Sequence, residues 1–270
     1  MRTLTFGYSP CPNDTFAFHA LTHGLVDAPF RVEPVLLDIE ELNRRARDGA
    51  FHLTKLSVGA FASVGGRYQL LRSGAALGQG VGPLVVARTP MSLAEAVRGR
   101  LGIPGVDTTA YRLLRLAAPP SGEIVELRYD RILRAVVNGD IDAGLVIHES
   151  RFTYAEHGLV RVADLGDWWE QDTGLPVPLA GICARSDLAA ETVAAAEAAI
   201  RASVQYAFDH PEASRAYVRA HAQEMSDAVC DAHIALYVNA FSLDIGEDGH
   251  AAIARLVGAN VGTSPASIGR

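Results

Sequence analysis

A chain of 270 residues that is 49% hydrophobic and 20% charged can bury one large core or two modest ones. Its formal net charge of -7 argues against general nucleic-acid binding, which needs a basic face, but leaves anionic small ligands open. No apolar run approaches the ~20 residues that span a bilayer, and Gly7 and Pro10 break the N-terminal apolar stretch. We therefore predict a cytoplasmic protein that has no signal peptide and does not bind membranes.

The 3 cysteines, Cys11, Cys183 and Cys230, are odd in number, far apart and without a CxxC pair. This spacing argues against a disulfide framework and against a structural zinc site, so no metal is expected. Cys11 lies in a turn near the expected ligand cleft, but no sequence partner marks it as a nucleophile.

Predicted strands and helices alternate along the first 185 residues, which is typical of α/β proteins. In chain order, strands are predicted at 4–8, 32–37, 53–56, 68–72, 83–88, 101–104, 124–129, 143–147, 159–165 and 180–185. Helices are predicted between them, up to Gly24 and then at 39–48, from 57, and at 92–98, 108–117, 131–138 and 167–173. The rest of the chain is predicted to be helical, at 188–209, from 211, at 226–240 and at 246–260, before a frayed tail.

Three local signals refine this pattern. Pro34 predicts that the second strand lies at a sheet edge, because proline cannot donate to a strand ladder. In the turn at 9–15, Asn13 or Asp14 can cap the helix that follows. Segment 73–82 is glycine-rich and is predicted to be a flexible link.

The restart of the strand–helix pattern near residue 88 predicts two sheets, and the alternation predicts that their strands are parallel. The helical C-terminal third needs a sheet to pack on, and the first sheet is its natural partner. We therefore expect two lobes, with residues 1–86 plus 181–270 in the larger and 87–180 in the smaller. Such a protein binds its ligand in the cleft between the lobes.

The apolar run 143–147 ends on His148, which makes this histidine the principal candidate for chemistry. In open α/β sheets, ligands bind beyond the carboxyl ends of the strands, and an imidazole with a pKa near 6.5 accepts a proton at physiological pH. His148 is therefore either a general base or a strand-end histidine that is hydrogen-bonded in a loop. Glu149 either orients the imidazole or faces solvent.

Long motifs spread over nearly the whole chain resemble one family. They are SPCPNDTF at 9–16, TKLS at 54–57, GQGVGPLVVAR at 78–88, PGVDTTAY at 104–111, RYDRI at 128–132, AGLVIHESRFTY at 143–154 and YVNAFSLDIG at 237–246. The sequence is similar to the 1,4-dihydroxy-6-naphthoate synthases, enzymes of the futalosine route to menaquinone. The resemblance implies a type II periplasmic-binding-protein-like fold. It also implies a carbon–carbon lyase, without metal or organic cofactor, that splits cyclic dehypoxanthinyl futalosine into 1,4-dihydroxy-6-naphthoate and a ribose-derived fragment.

The resemblance also implies roles for individual residues. His148 matches the proton acceptor of the family's IHES motif. The family's substrate contacts fall on the KLS segment and on the middle of the TTAY segment, which here are Lys55, Leu56, Ser57, Thr109 and Ala110.

The residues around these motifs add weaker candidates. Free N–H groups at the helix start after the Pro-Gly turn favour anions, so the aromatic carboxylate of this substrate class is expected there, with Thr108 as a further donor or as a plain N-cap. Lys55 either holds the substrate by its charge or points to solvent. Asn13 and Asp14 are candidates for the sugar portion, and Asn43 for the cleft.

Three rival functions remain open. A solute-binding protein of the same fold would need no base but would normally carry a signal peptide or a lipid anchor. A chorismate dehydratase-like enzyme on this scaffold would act on another substrate of the pathway. A transcriptional effector-binding module would need a helix-turn-helix, whereas this chain begins directly with a predicted strand. The oligomeric state is open.

Overall fold

A computed structural model describes residues 1–64, 66–223 and 226–258 of the protein. Within them the strands are β1 (Arg2–Tyr8), β2 (Phe30–Leu36), β3 (Leu53–Ser57), β4 (Tyr68–Leu70), β5 (Ala76–Gly78), β6 (Leu84–Ala87), β7 (Leu101–Ile103), β8 (Ile124–Glu126), β9 (Ala143–Val146), β10 (Val160–Asp164) and β11 (Val177–Arg185). The helices are α1 (Pro12–Thr22), α2 (Ile39–Ala46), α3 (Leu93–Ala96), α4 (Thr109–Ala117), α5 (Tyr129–Asn138), α6 (Ser150–Thr153), α7 (Leu165–Thr173), α8 (Ala190–Asp209), α9 (Arg215–His221), α10 (Asp227–Tyr237), α11 (Ala240–Leu243) and α12 (Gly246–Val257). Short 3₁₀ turns occupy Val58–Val64, Tyr154–His157 and Pro211–Ser214.

The strands form two mixed sheets, so the prediction of purely parallel sheets is wrong. The first sheet has the order β2-β1-β3-β11-β4, with β5 paired to β11, and the second has the order β10-β6-β9-β7-β8. Strand β11 runs antiparallel to β3, β4 and β5, and β6 runs antiparallel to β9 and β10. The chain enters a new sheet through β6 and again through β11. Only a helical crossover within one sheet enforces a parallel neighbour, and neither strand follows one.

The local predictions around the first sheet have mixed outcomes. Strand β2 is an edge strand, as Pro34 predicts. The glycine-rich segment 73–82 is not simply a link, because β5 lies within it, fully buried and paired with β11. The predicted cap of α1 is also wrong. Its N-cap is Cys11, without a side-chain cap, because the Asp14 carboxylate instead accepts hydrogen bonds from the amide and hydroxyl of Ser9 at 3.1 and 2.8 Å.

The C-terminal third packs as the sequence predicts, on the first sheet. Helix α8 contributes Val193, Ile200 and Val204 to a core that also contains Leu4 and Phe6 of β1. The predicted end of the last helix at 260 is wrong, because α12 ends at Val257 with Gly258 in the left-handed conformation as its C-cap. The predicted frayed tail lies outside the described residues.

The largest apolar cluster continues from one sheet to the other, which holds the two lobes together. It contains Leu56 and Val58 of the first lobe together with Val85, Leu101 and Leu145 of the second. The arrangement is the two-lobed α/β fold that the sequence predicts. The exact lobe boundaries, at 86/87 and 180/181, stay a prediction.

The start of α4 makes polar contacts between the lobes. The Thr109 hydroxyl accepts a hydrogen bond from the Gly59 amide at 3.0 Å and donates to the Leu179 carbonyl at 2.6 Å. A Cβ atom on Gly59 would lie 2.9 Å from the Thr108 carbonyl oxygen, so this approach requires glycine. The contact fixes the beginning of α4 over the end of β3.

Candidate functional site

A cavity with about 590 Å³ of empty space, part of it open to solvent, lies where the two sheets face each other. The first lobe contributes polar side chains from β3 and from the start of α1, and the second contributes the residues that follow β9 and the start of α4. The lining residues that carry polar chemistry are Ser9, Asn13, Lys55, Ser57, Thr108, Thr109, His148, His233 and Tyr237, and apolar residues such as Ala110, Ile147 and Leu179 complete the wall.

Most of the predicted site residues lie together in this cavity. They are His148, Lys55, Ser57, Thr108, Thr109, Ala110 and Asn13. Leu56, Asp14 and Asn43 are not in its wall. Successive residues of a strand point to opposite faces of the sheet. Lys55 and Ser57 face the cavity, and Leu56 between them points into the apolar core.

Asn43 and Asp14 lie behind the wall and hold the residues in front of them. The Asn43 side chain accepts a hydrogen bond from the Ser57 amide at 2.9 Å and donates to the Ser57 hydroxyl at 3.0 Å. Asp14 forms an ion pair with Lys55, and both side chains are almost completely buried. Lys55 is therefore neither solvent-facing nor free to act as an isolated charge.

His148 follows β9 in an unusual backbone conformation. Its φ of +55° is the only positive φ at a residue other than glycine in the described part of the chain. Such a conformation costs of order 1–3 kcal/mol and persists only when the surroundings impose it. It directs the imidazole from the strand end into the cavity, where the ring packs edge-on against Tyr129 with 4.9 Å between centroids.

The electrostatic surroundings keep the His148 imidazole neutral. Burial lowers its pKa from 6.5 to about 3, and the positive charge of Lys55 acts in the same direction. The ring is half-buried, and its Nε2 atom is shielded and has no hydrogen-bond partner among the described residues. The neutral ring lines the cavity and carries a lone pair on one of its two nitrogens. Such a nitrogen can accept a proton or a hydrogen bond from a ligand.

Lowering the pH should destabilise the protein in part through this residue. The unfolded chain binds a proton at the ordinary histidine pKa of 6.5, well above the folded value of about 3, so stability is lost as the pH falls below 6.5. Between about pH 7.5 and about pH 5, this group should lower the free energy of unfolding by up to about 2 kcal/mol. Denaturant titrations at both pH values should show a smaller loss in His148→Asn than in the unmodified protein. Equal losses in both proteins would contradict the shifted pKa.

The first turn of α4 offers backbone donors to the cavity. Thr108 is its N-cap, as predicted, and its hydroxyl accepts from the Tyr111 amide at 3.2 Å. The amides of Thr109 and Ala110 occupy the first helical positions, which have no intrahelical partner, and no bond from either to another described residue is seen. The same turn carries the positive end of the helix dipole. The arrangement suits an anionic group.

Two aromatic residues of the site are not predicted as site residues from the sequence. His233 and Tyr237 line the cavity from α10, one helical turn apart and with 4.6 Å between their ring centroids. The helical spacing around Tyr237 is also that of a core-facing apolar stripe, which is the ordinary interpretation of such spacing. Nothing local marks His233, because α10 reaches the cavity through tertiary packing against α1 and β5. The signal that could have found both residues is their spacing of four on one helix face.

Glu149 is buried rather than solvent-facing, with 8% of its surface exposed. Its negative charge contributes to the raised pKa of the neighbouring Cys11 thiol, although burial of Cys11 is the larger cause. Cys11 therefore stays a neutral thiol, which is unsuited to act as a nucleophile.

Glu40 is a second titratable group beside the site and links the lobes. Its carboxylate accepts hydrogen bonds from the Asp107 amide and from the Asn43 side chain, both at 3.3 Å. Burial raises its pKa to about 7. It therefore adds a carboxyl group that titrates near neutrality behind Ser57.

The described residues contain no cluster of three or more His, Cys, Asp or Glu side chains that could hold a metal ion. A membrane-spanning helix is likewise not found in the part of the chain that the structure covers.

Comparison with known proteins defines the class of this fold. A crystal structure of an Archaeoglobus fulgidus protein superimposes with a TM-score of 0.90 at 36% identity, over 95% of this chain and 96% of that one. The periplasmic aliphatic sulphonate-binding protein of Escherichia coli superimposes with a TM-score of 0.66 at 14% identity, over 96% and 86% of the two chains. The protein thus has the periplasmic-binding-protein-like fold, with a cavity between its lobes.

Sequence comparison defines the family. Residues 4–260 match the family model described as menaquinone biosynthesis. The 1,4-dihydroxy-6-naphtoate synthase of Thermus thermophilus is 58% identical over 95% of this chain and 93% of its own length. The synthase of the same name from Streptomyces coelicolor is 48% identical over 94% and 92%. The chain belongs to this menaquinone-biosynthesis family, and it is an enzyme of the lyase class.

Proposed function

We propose that this lyase splits cyclic dehypoxanthinyl futalosine into 1,4-dihydroxy-6-naphthoate and a ribose-derived fragment, with His148 as the general base. The observation that carries the proposal is the position of His148, which lines the cavity at a strand end, with a strained backbone and with an Nε2 atom that has no hydrogen-bond partner among the described residues. Splitting a ring next to a carbonyl requires the removal of an acidic proton. A positioned base contributes roughly 10²–10⁴-fold to the rate of such a step.

The start of α4 supports the binding of the aromatic carboxylate of this substrate. The amides of Thr109 and Ala110, together with the dipole of α4, favour a negative group at the helix start. The bound carboxylate would in turn stabilise a protonated His148 and raise its pKa from the low value of the free enzyme. In this way the substrate makes the base stronger when it binds.

Lys55 and Ser57 contribute to the same binding site from the first lobe. We assign Ser57 the role of a hydrogen-bond donor to the substrate. Its hydroxyl oxygen accepts a hydrogen bond from the Asn43 side-chain amide, which leaves the hydroxyl proton for the substrate. We assign Lys55 a positioning role through Asp14 and Asn13 rather than a direct bond to the carboxylate. Closure of the lobes over the substrate excludes water from the reaction.

A product assay tests this function. Purified protein would be incubated with cyclic dehypoxanthinyl futalosine, and 1,4-dihydroxy-6-naphthoate would be measured by chromatography. We expect naphthoate from the unmodified protein. Binding without product would favour a small-molecule binding protein of the same fold. Loss of water from chorismate instead would favour a chorismate dehydratase-like enzyme. The cytoplasmic location stays a prediction.

A further inference from the structure

His233 is a buried histidine that the proposed chemistry does not use. Its side chain is 0% exposed, lines the cavity and lies nearly parallel to the His148 ring, with 6.0 Å between centroids and 19° between planes. We infer that its Nδ1 atom binds the substrate by accepting a hydrogen bond from a hydroxyl of the ribose-derived part. This inference rests on the proposed function, because it takes the hydroxyl from that substrate.

The hydrogen-bond network fixes which nitrogen of His233 carries the proton. Nε2 lies 3.0 Å from the Asn13 side-chain oxygen, which can only accept. The orientation of the Asn13 side-chain amide is fixed, because its nitrogen donates a hydrogen bond to the Asp14 carboxylate at 2.9 Å. Exchanging the amide oxygen and nitrogen would lose this hydrogen bond. Asp14 is in turn held by Lys55 and Ser9. Nε2 is therefore the protonated nitrogen, and Nδ1 carries a lone pair.

The Nδ1 atom is buried and has no hydrogen-bond partner among the described residues. Burial also lowers the pKa of His233 well below 6.5, with the neighbouring His148 and Lys55 adding to the effect, so the ring stays neutral. A ligand donor at Nδ1 would remove the cost of this unsatisfied acceptor.

The lone pair on Nδ1 also determines which part of the substrate can bind at His233. A lone pair repels a carboxylate and accepts from a hydroxyl. The carboxylate therefore belongs at the start of α4 and the hydroxylated, ribose-derived part at His233. His148 is then next to the part of the substrate that is removed.

A purely structural role for His233 is the alternative, since the ring also packs on Tyr237 and holds Asn13. Two substitutions separate these roles. The amide of His233→Gln reaches the position of Nε2 and keeps the bond to Asn13, but it loses the acceptor at Nδ1. The shorter amide of His233→Asn places an oxygen near Nδ1 and loses the bond to Asn13.

The test measures KM and kcat with cyclic dehypoxanthinyl futalosine, and calorimetric Kd values for 1,4-dihydroxy-6-naphthoate, which lacks the ribose-derived part. We expect His233→Gln to raise KM roughly ten-fold and to leave the Kd of the naphthoate unchanged. We expect His233→Asn to keep KM within a few-fold. If His233→Gln does not fold, the His233→Asn result alone decides, because a structural role predicts a large loss there.

Each of the other outcomes overturns the inference. An unchanged KM in His233→Gln together with a raised KM in His233→Asn would assign His233 to holding Asn13. If His233→Gln weakens the binding of the substrate and of the naphthoate equally, His233 does not contact the ribose-derived part. If the unmodified protein neither binds nor converts the futalosine compound, the proposed function fails and this inference fails with it.

Discussion

A His148→Asn variant is expected to fold and to lose roughly 10²–10⁴-fold in kcat. Asparagine is among the residues that tolerate the left-handed backbone seen at φ +55°, so the change removes the base without adding strain. The amide that replaces the imidazole does not accept a proton near neutral pH. The initial rate of naphthoate formation at saturating substrate measures the effect.

The matched control for this experiment is His157→Asn. His157 is exposed at the end of the 3₁₀ turn Tyr154–His157, in the same segment of the second lobe. We expect this variant to retain the full rate. Equal rates for His148→Asn and the unmodified protein would contradict the role of His148 as the base while leaving the lyase function intact.

The second large effect is expected on stability, from Lys55→Met. The side chains of Lys55 and Asp14 are 5% and 2% exposed, so the substitution leaves a carboxylate buried without its cationic partner. Removing one member of a buried ion pair costs about 3–5 kcal/mol. We therefore expect the free energy of unfolding, measured by denaturant titration, to fall by that amount.

The control for this prediction is Arg100→Met. Arg100 pairs with Glu123 on the surface, where the two side chains are 52% and 60% exposed, and such pairs contribute about 0–1 kcal/mol. The double variant Lys55→Met with Asp14→Asn should recover part of the lost stability, because it removes the unpaired charge. A loss of less than about 1 kcal/mol in Lys55→Met would show that water reaches the pair.

Hydrophobic pattern and local capping predicted most of the elements that carry the site. The apolar run before His148 indicates a buried strand, and β9 (Ala143–Val146) is that strand. The Pro-Gly turn before Thr108 indicates a helix start, and α4 begins there. These features depend on residues close together in sequence, so a single chain is enough to infer them.

The direction of β6 and β11 and the N-cap of α1 were predicted wrongly for a common reason. Each depends on a partner from elsewhere in the chain: another sheet for the two strands, and Ser9 and Lys55 for Asp14. A local pattern fixes that a segment is a strand or a helix end. It does not fix what lies beside that segment.

The sequence by itself determined the two-lobed α/β fold, the family and the position of His148 at the end of a strand. Only the tertiary structure decided the surroundings of that histidine. It pairs Lys55 with Asp14, puts Asn43 behind Ser57, and brings His233 to Asn13 from 220 positions away. The physical reason is that burial, pKa and hydrogen-bond partners are properties of the packed neighbours, whereas strand and helix formation follow from the local spacing of apolar residues.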